Sequence, residues 1–237
     1  YGKSLDIVQK SLDSPLQVST KFKSELMSRP LDLQQYLTSL SVKFGSHLST
    51  IYLHDIDNLD KIPENTYSIL RDFLEENPLI KFGSSIYYPE EAYKSYDLFS
   101  FVSTFQCPLN YFDRRFISEN FKKFCSNRNI TIDYRSIFLQ GRLLSPHDMI
   151  NPYFKKFDQF KTYFSDFNNS GSKSLIDFNI NFIKQVTNFS NVVLGAESGQ
   201  QVNELMGIIN NTDKILHQYN DVVFDEKLCV PMNWKLT

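Results

Sequence analysis

The sequence predicts an α/β fold whose parallel sheet closes into an eight-stranded β/α barrel, and three observations carry that expectation. Short apolar runs alternate with segments of helical periodicity, giving six strands each followed by a helix, and parallel neighbours need such crossovers. Polar residues recur at the C-terminal ends of those strands (Lys21, His54, Ser85, Gln106, Arg135, Ser136 and Glu197), where barrel enzymes place their chemistry. The chain has only 8 glycines and no Gly-x-Gly-x-x-Gly. It therefore lacks the phosphate loop that an open doubly wound sheet usually carries after its first strand.

Each element has a local cause. Residues 4–12 read as a short helix closed by Ser14-Pro15, and 16–20 alternate like a strand ending at Lys21. Over 31–44, apolar residues at Leu33, Tyr36, Leu37, Leu40 and Phe44 keep close to a 3.6-residue period, and Gly45 is the stop. The run 50–53 reads as a buried strand ending at His54, and 67–76 as a helix halted before Pro78. A strand over 80–85 precedes Pro89, which starts a helix at its first turn. Strands over 99–105 and 130–134 bracket a helix over 116–125. A helical pattern over 146–167 breaks at Asn168-Asn169-Ser170-Gly171-Ser172 and returns over 175–186. A last strand, 192–194, leads into a helix over 200–209. Six units against the eight of a closed barrel imply two βα units upstream of Tyr1, in keeping with a chain that opens on tyrosine. The expected organisation is one barrel domain over 1–237, incomplete at its N-terminus.

Composition excludes several classes. With 237 residues, 41% hydrophobic and 22% charged, the chain can bury a core without staples. No apolar run approaches the ~18 residues of a membrane span. A net charge of −2, from 25 Lys+Arg and 27 Asp+Glu, makes no electrostatic case for nucleic acid. Cys107, Cys125 and Cys229 are too few and too scattered for a disulfide framework or a zinc site, which fits a reducing, cytoplasmic setting. Asp55 and Asp57 flank His54, but no second histidine stands at ligand spacing, so no metal site is expected. His47, His147 and His217 read as surface residues, and the stripe Phe154, Phe157, Phe160, Phe164 and Phe167 as a packing face. Nothing in the sequence sets an oligomeric state.

Three motifs fall at the start of the chain and at its first two strand ends: Tyr1-Gly2-Lys3-Ser4, Ser19-Thr20-Lys21 and Leu53-His54-Asp55. Further on come Phe82-Gly83-Ser84-Ser85, Gln106-Cys107-Pro108-Leu109-Asn110, Arg135-Ser136-Ile137-Phe138-Leu139-Gln140-Gly141 and Gly195-Ala196-Glu197-Ser198. With these motifs in this order, the sequence resembles the aldo/keto reductase superfamily over nearly the whole chain. The Arg-Ser-x-Phe-Leu-Gln-Gly wording is similar to a bacterial branch of it. The resemblance implies an NAD(P)H-dependent oxidoreductase that reduces an aldehyde, ketone or sugar-related carbonyl to an alcohol by hydride transfer, with a small-molecule substrate. It casts Tyr1, Lys21 and His54 as catalytic. It casts Ser85, Gln106, Arg135, Ser136, Phe138, Gln140, Gly141, Gly195, Glu197, Ser198, Gln201 and Glu204 as binding the cofactor, NADP or NAD. In the family an aspartate upstream of the tyrosine holds the lysine.

The chemistry stands on its own terms. Hydride addition to a carbonyl develops charge on oxygen, which must be protonated or stabilised in the transition state. A phenol, ordinarily near pKa ~10, is a reluctant donor at neutral pH, and a nearby ammonium eases its ionisation. Tyr1 and Lys21 are such a pair, and His54 can orient or polarise the carbonyl. The chain departs from the family pattern at Leu5, Ile86 and Arg135, where many members carry glutamate, asparagine and an aromatic residue. Those departures favour the alternative reading, a catalytically silent relative that binds a nucleotide or acts as a scaffold. Gly195 and Gln201 stand where NADP-selecting members place basic residues, so the preference between NADP and NAD stays open.

Overall fold

The structure, a computed structural model, describes residues 16–56, 59, 62–146, 151–187, 191–211 and 216–235. Tyr1, Leu5, the helix read over 4–12, Asp57 and His147 lie outside the described residues. Five strands form one sheet in sequence order: β1 (Val18–Phe22), β2 (Leu48–Leu53), β3 (Lys81–Ser85), β4 (Thr104–Pro108) and β5 (Thr131–Arg135). The pairs β1–β2, β2–β3 and β3–β4 are parallel. Helices α1 (Pro30–Phe44), α2 (Glu64–Glu76), α3 (Pro89–Leu98) and α4 (Glu119–Ser126) make the successive crossovers. The alternating plan is the one read from the sequence, but among the described residues the sheet has five strands and does not close.

The chain falls into two compact units, Tyr1–Gln106 with Asn127–Thr131, and Cys107–Ser126 with Ile132–Thr237. In the first, α1 shows how the pattern becomes structure. Pro30 occupies its first turn, and Leu33, Leu37, Leu40 and Phe44 are buried at spacings that keep one face inward. Gly45, at φ +49°, takes a positive-φ conformation that glycine adopts without strain, and the helix ends there. In β3, Gly83 lies opposite Tyr52 and Thr104 at a separation that leaves no room for a side chain. The strand expected over 99–105 is corrected: β4 begins at Thr104, and the Phe99 N–H donates to Ser95 O to close α3. Phe99 is fully buried against Phe82, with ring centroids 5.5 Å apart, so the apolar run there is an aromatic cluster. A short apolar run has the same pattern in either setting.

The second unit adds α5 (Pro152–Lys155), α6 (Gln159–Asn169), α7 (Leu175–Thr187), α8 (Gly199–Asn211) and α9 (Glu226–Cys229). Helix α6 runs on to Asn169, into the break expected at 168–172. The phenylalanine stripe packs as expected: Phe154, Phe157 and Phe160 are buried, and Phe160 meets Phe112 edge-on at 4.9 Å. Buried Asp166 accepts hydrogen bonds from Tyr111 Oη at 2.5 Å, from Asn220 N at 2.9 Å and from Asn220 Nδ2. His217 is not a surface residue. Its side chain is only 15% exposed, with Nε2 4.0 Å from Asp166 Oδ1 and its ring against Tyr219. The strand expected over 192–194 is reduced to a single bridge between Val192 and Tyr134, and Val193 remains 45% exposed, too open for a core strand.

Candidate active site

In the first unit, three of the predicted site residues converge. Lys21 lies in β1, opposite Tyr52 of β2, and its ammonium sits 6.0 Å from the centre of the Tyr52 ring. Nζ donates to Ser85 Oγ at 3.0 Å and to Gln106 Oε1 at 2.5 Å. Ser85, the last residue of β3, is the ladder partner of Gln106 in β4, and both are buried. Parallel register therefore puts the two acceptors side by side where one lysine can span them. Hydrogen bonds that involve a charged donor are worth about 1.5–3 kcal/mol each, so this contact orders the strand ends. Ile86 N donates to Gln106 O at 3.0 Å, which fixes the backbone behind the amide. On the other side, Tyr36 Oη of α1 donates to Lys21 O, and burial pushes that phenol above its ordinary pKa.

His54 follows β2 directly, and its N–H donates to Phe22 O at 2.7 Å. Its Nδ1 lies 3.5 Å from Asp55 Oδ2, and Asp55 Oδ1 accepts a hydrogen bond from Ser24 Oγ. Ser24 and Asp55 were not singled out for this role by sequence. Polar residues just past two strand ends read as turn formers, and their meeting depends on the β1–β2 register.

In the second unit, the segment after β5 is strained. Ser136, Leu139, Gln140 and Gly141 all have positive φ, from 46° to 79°. Non-glycine residues in that region cost of order 1–3 kcal/mol each and cluster at functional sites. Asn110 anchors this segment by donating from Nδ2 to Ser136 O at 3.3 Å, while Arg135 Nη1 donates to Ser136 Oγ at 3.2 Å. A cavity of about 820 Å³ lies in the same unit, within the range of small-ligand sites. Phe138, Gly195, Gln201 and Glu204 line it, as do Leu144, Leu205 and Ile208. Ser136, Gln140, Gly141, Glu197 and Ser198 are not among its lining residues. Ser198 Oγ accepts from Gln201 N, and Gln201 Oε1 accepts from Glu197 N, so these side chains cap α8.

Lys173, Ser174 and Asp177 also line the cavity, and sequence reasoning missed them. The signal was present as Ser174-x-x-Asp177 ahead of a helical run. Ser174 Oγ accepts from Asp177 N, and Asp177 Oδ2 accepts from Lys173 N, a cap at the start of α7. An aromatic ring, apolar walls and several hydrogen-bonding groups give the cavity the make-up of a small-molecule site. Among the described residues no group of three or more His, Cys, Asp or Glu could hold a metal ion, and no helix is long and apolar enough to cross a membrane.

No protein-family model matches the sequence, and no curated protein matches it. Solved structures do share its fold. The holo form of aldo-keto reductase AKR11C1 from Bacillus halodurans matches with a TM-score of 0.66 at 16% identity, over 88% of this chain and 72% of that one. The glycerol dehydrogenase AKR11B4 from Gluconobacter oxydans gives 0.56 at 18% identity, over 94% of this chain and 81% of that one. A variant of Gox0644 in complex with NADPH gives 0.60 at 18% identity, over 87% and 70%. At these identities the likeness defines the fold: the α/β architecture is that of the aldo-keto reductases.

Proposed function

We propose that this chain is an NAD(P)H-dependent oxidoreductase of the aldo/keto reductase superfamily, reducing a carbonyl to an alcohol in the cytoplasm. The observation that carries the reading is the convergence of Lys21, Ser85 and Gln106 at the strand ends of this fold. When bound, the reduced nicotinamide supplies the hydride to the carbonyl carbon. Tyr1 gives its proton to the carbonyl oxygen, and the Lys21 ammonium steadies the phenolate left behind. His54 orients the substrate. Ser85 and Gln106 hold the carboxamide, and Gln106 and Ser85 at the same time keep Lys21 extended along the sheet. Phe138, Gln201 and Glu204 hold the adenosine, while Arg135, Ser136, Gln140, Gly141, Gly195, Glu197 and Ser198 supply backbone and side-chain contacts to the rest of the dinucleotide. Three cysteines, all buried and none in a disulfide, accord with a reducing compartment.

A second reading, a silent relative, draws on one observation: Lys21 already engages the two groups assigned to the carboxamide. NAD(P)H oxidation against a panel of aldehydes, ketones and sugar-derived carbonyls separates the two, with wild type run beside Tyr1→Phe. The reductase turns over, and Tyr1→Phe abolishes turnover while cofactor binding persists, because the hydroxyl acts where charge develops. Equal rates in both proteins remove Tyr1 as the acid. Cofactor binding without turnover of any carbonyl is the outcome of the silent scaffold.

A further inference from the structure

We infer that Asn110 is a positioning residue, which holds the turn after β5 in the shape that receives the dinucleotide. The inference deepens the reductase reading and rests on it for the identity of the ligand. The motif Gln106-Cys107-Pro108-Leu109-Asn110 ends on a fully buried asparagine that is not among the cavity's lining residues. Its Oδ1 accepts from Phe112 N at 3.0 Å and from Asp113 N at 3.1 Å, which wraps the chain after β4 around the side chain. Two donors on one oxygen also fix which end of the amide is nitrogen. That nitrogen, Nδ2, donates to Ser136 O at 3.3 Å.

The oxygen so held is the first carbonyl of the strained turn. Ser136 O also accepts from Leu139 N at 2.9 Å, while Leu139 O, Phe138 O and Gly141 O accept from Arg142 N, Leu143 N and Leu144 N. Ser136, Leu139 and Gln140 are kept at φ between 46° and 62°. Residues other than glycine avoid that region, so the chain adopts it only where surrounding contacts over-determine it. Buried Ile137, Leu139 and Leu143 pin the apolar side of the turn. Asn110 is the polar pin, next to the Leu109 N–H that donates to Arg135 O at 2.9 Å. The turn carries Phe138 and leads to Leu144, both in the cavity wall. An amide outside that wall therefore sets its shape.

Asn110→Asp and Asn110→Ser separate this bond from the turn wrapped around the side chain. Both keep an oxygen for the Phe112 and Asp113 N–H groups, but an ionised carboxylate cannot donate and a serine hydroxyl is too short to reach Ser136 O. Hydrogen exchange of the full chain, followed by NMR, reads the turn without any ligand. The amides of Leu139, Arg142, Leu143 and Leu144 exchange about tenfold faster in both variants, the value of one hydrogen bond, while those of α6 stay as in wild type. Unchanged exchange in the turn, or an equal rise in α6, overturns the positioning role. Calorimetric titration with NADPH and with NADH then reads the binding-competent fraction, and both variants bind the cofactor about tenfold more weakly than wild type. In turnover the loss falls on the cofactor's KM more than on kcat. Wild-type affinity in variants whose turn is loosened overturns the link to the ligand. A wild type that binds neither dinucleotide, with exchange responding as expected, supports the anchoring and overturns the reductase reading instead.

Discussion

A methyl group at Gly83 measures how tightly the strands that carry the site are held. A Cβ there would lie 2.4 Å from Thr104 O, 2.5 Å from Thr104 Cγ2 and 2.9 Å from Tyr52 Cδ1. Carbon contacts are comfortable at ~3.5–4 Å, so the overlap with the carbonyl is about 1 Å. A threonine methyl can rotate away, but the carbonyl belongs to the backbone of β4 and moves only with the strand. Overpacking of this kind costs typically 1–3 kcal/mol, and a backbone clash belongs at the upper end, about 3 kcal/mol. The lost flexibility of the unfolded chain returns at most about 1 kcal/mol, so destabilisation wins. Gly83→Ala is expected to lower stability by about 2–3 kcal/mol. At about 2–4 °C per kcal/mol for a chain of this size, the melting midpoint drops by roughly 4–12 °C. Urea unfolding and thermal melts check this. Adding Thr104→Ser removes the methyl contact and leaves the carbonyl, so the double variant regains only part of the loss. A single-variant effect below about 0.5 kcal/mol, or complete recovery in the double variant, would refute the reasoning.

Lys21→Met strips the donor from two buried acceptors, Ser85 Oγ and Gln106 Oε1, and should cost about 1–3 kcal/mol in urea unfolding as well as turnover. Unchanged stability would mean that the lysine does not order the strand ends. Lys173 is among the residues that line the cavity, whereas no Lys or Arg lies between Leu194 and Asn211. Calorimetric titration of Lys173→Ala should therefore show NADPH binding weakened by about tenfold and NADH binding little changed, since a 2′-phosphate needs a charge-assisted partner. Burial pushes the Cys229 thiol up to about 12 from its ordinary 9.0. The folded state thus favours the protonated thiol, and its contribution is complete below pH 9 and is lost as pH rises towards 12. Stability followed across that range should fall less steeply in Cys229→Ala than in wild type.

The helices were legible wherever periodicity was local. Leu33, Leu37, Leu40 and Phe44 state the buried face of α1 in the sequence itself, and Pro30 and Gly45 state its ends. The run 99–105 was not legible, because Phe99 is buried by ring contacts to Phe82 and Tyr67 that no window of neighbouring residues contains. Motifs named Lys21, Ser85 and Gln106 separately. Their direct bonding follows from the ladder register of β3 and β4, which the sequence does not print. Ser24 and Asp55 escaped for the same reason. Lys173 and Asp177 escaped because the cavity they line is assembled from stretches far apart in the chain. Ser198 and Gln201 illustrate a different difficulty: a polar pair ahead of a helix suits a ligand and a cap equally well, and only the hydrogen bonds show that here they cap α8.

The buried carboxylate of Asp166 joins residues 55 positions before it and 54 positions after it. Bonds of that reach close long loops, whose entropy must be spent before the contacts return anything, so they belong to the last stages of assembly. Interactions that form late are also those whose loss speeds unfolding while leaving the folding rate almost untouched. Asp166→Asn is therefore expected to speed unfolding while leaving the folding rate almost unchanged, and unfolding and refolding rates measured across urea check this.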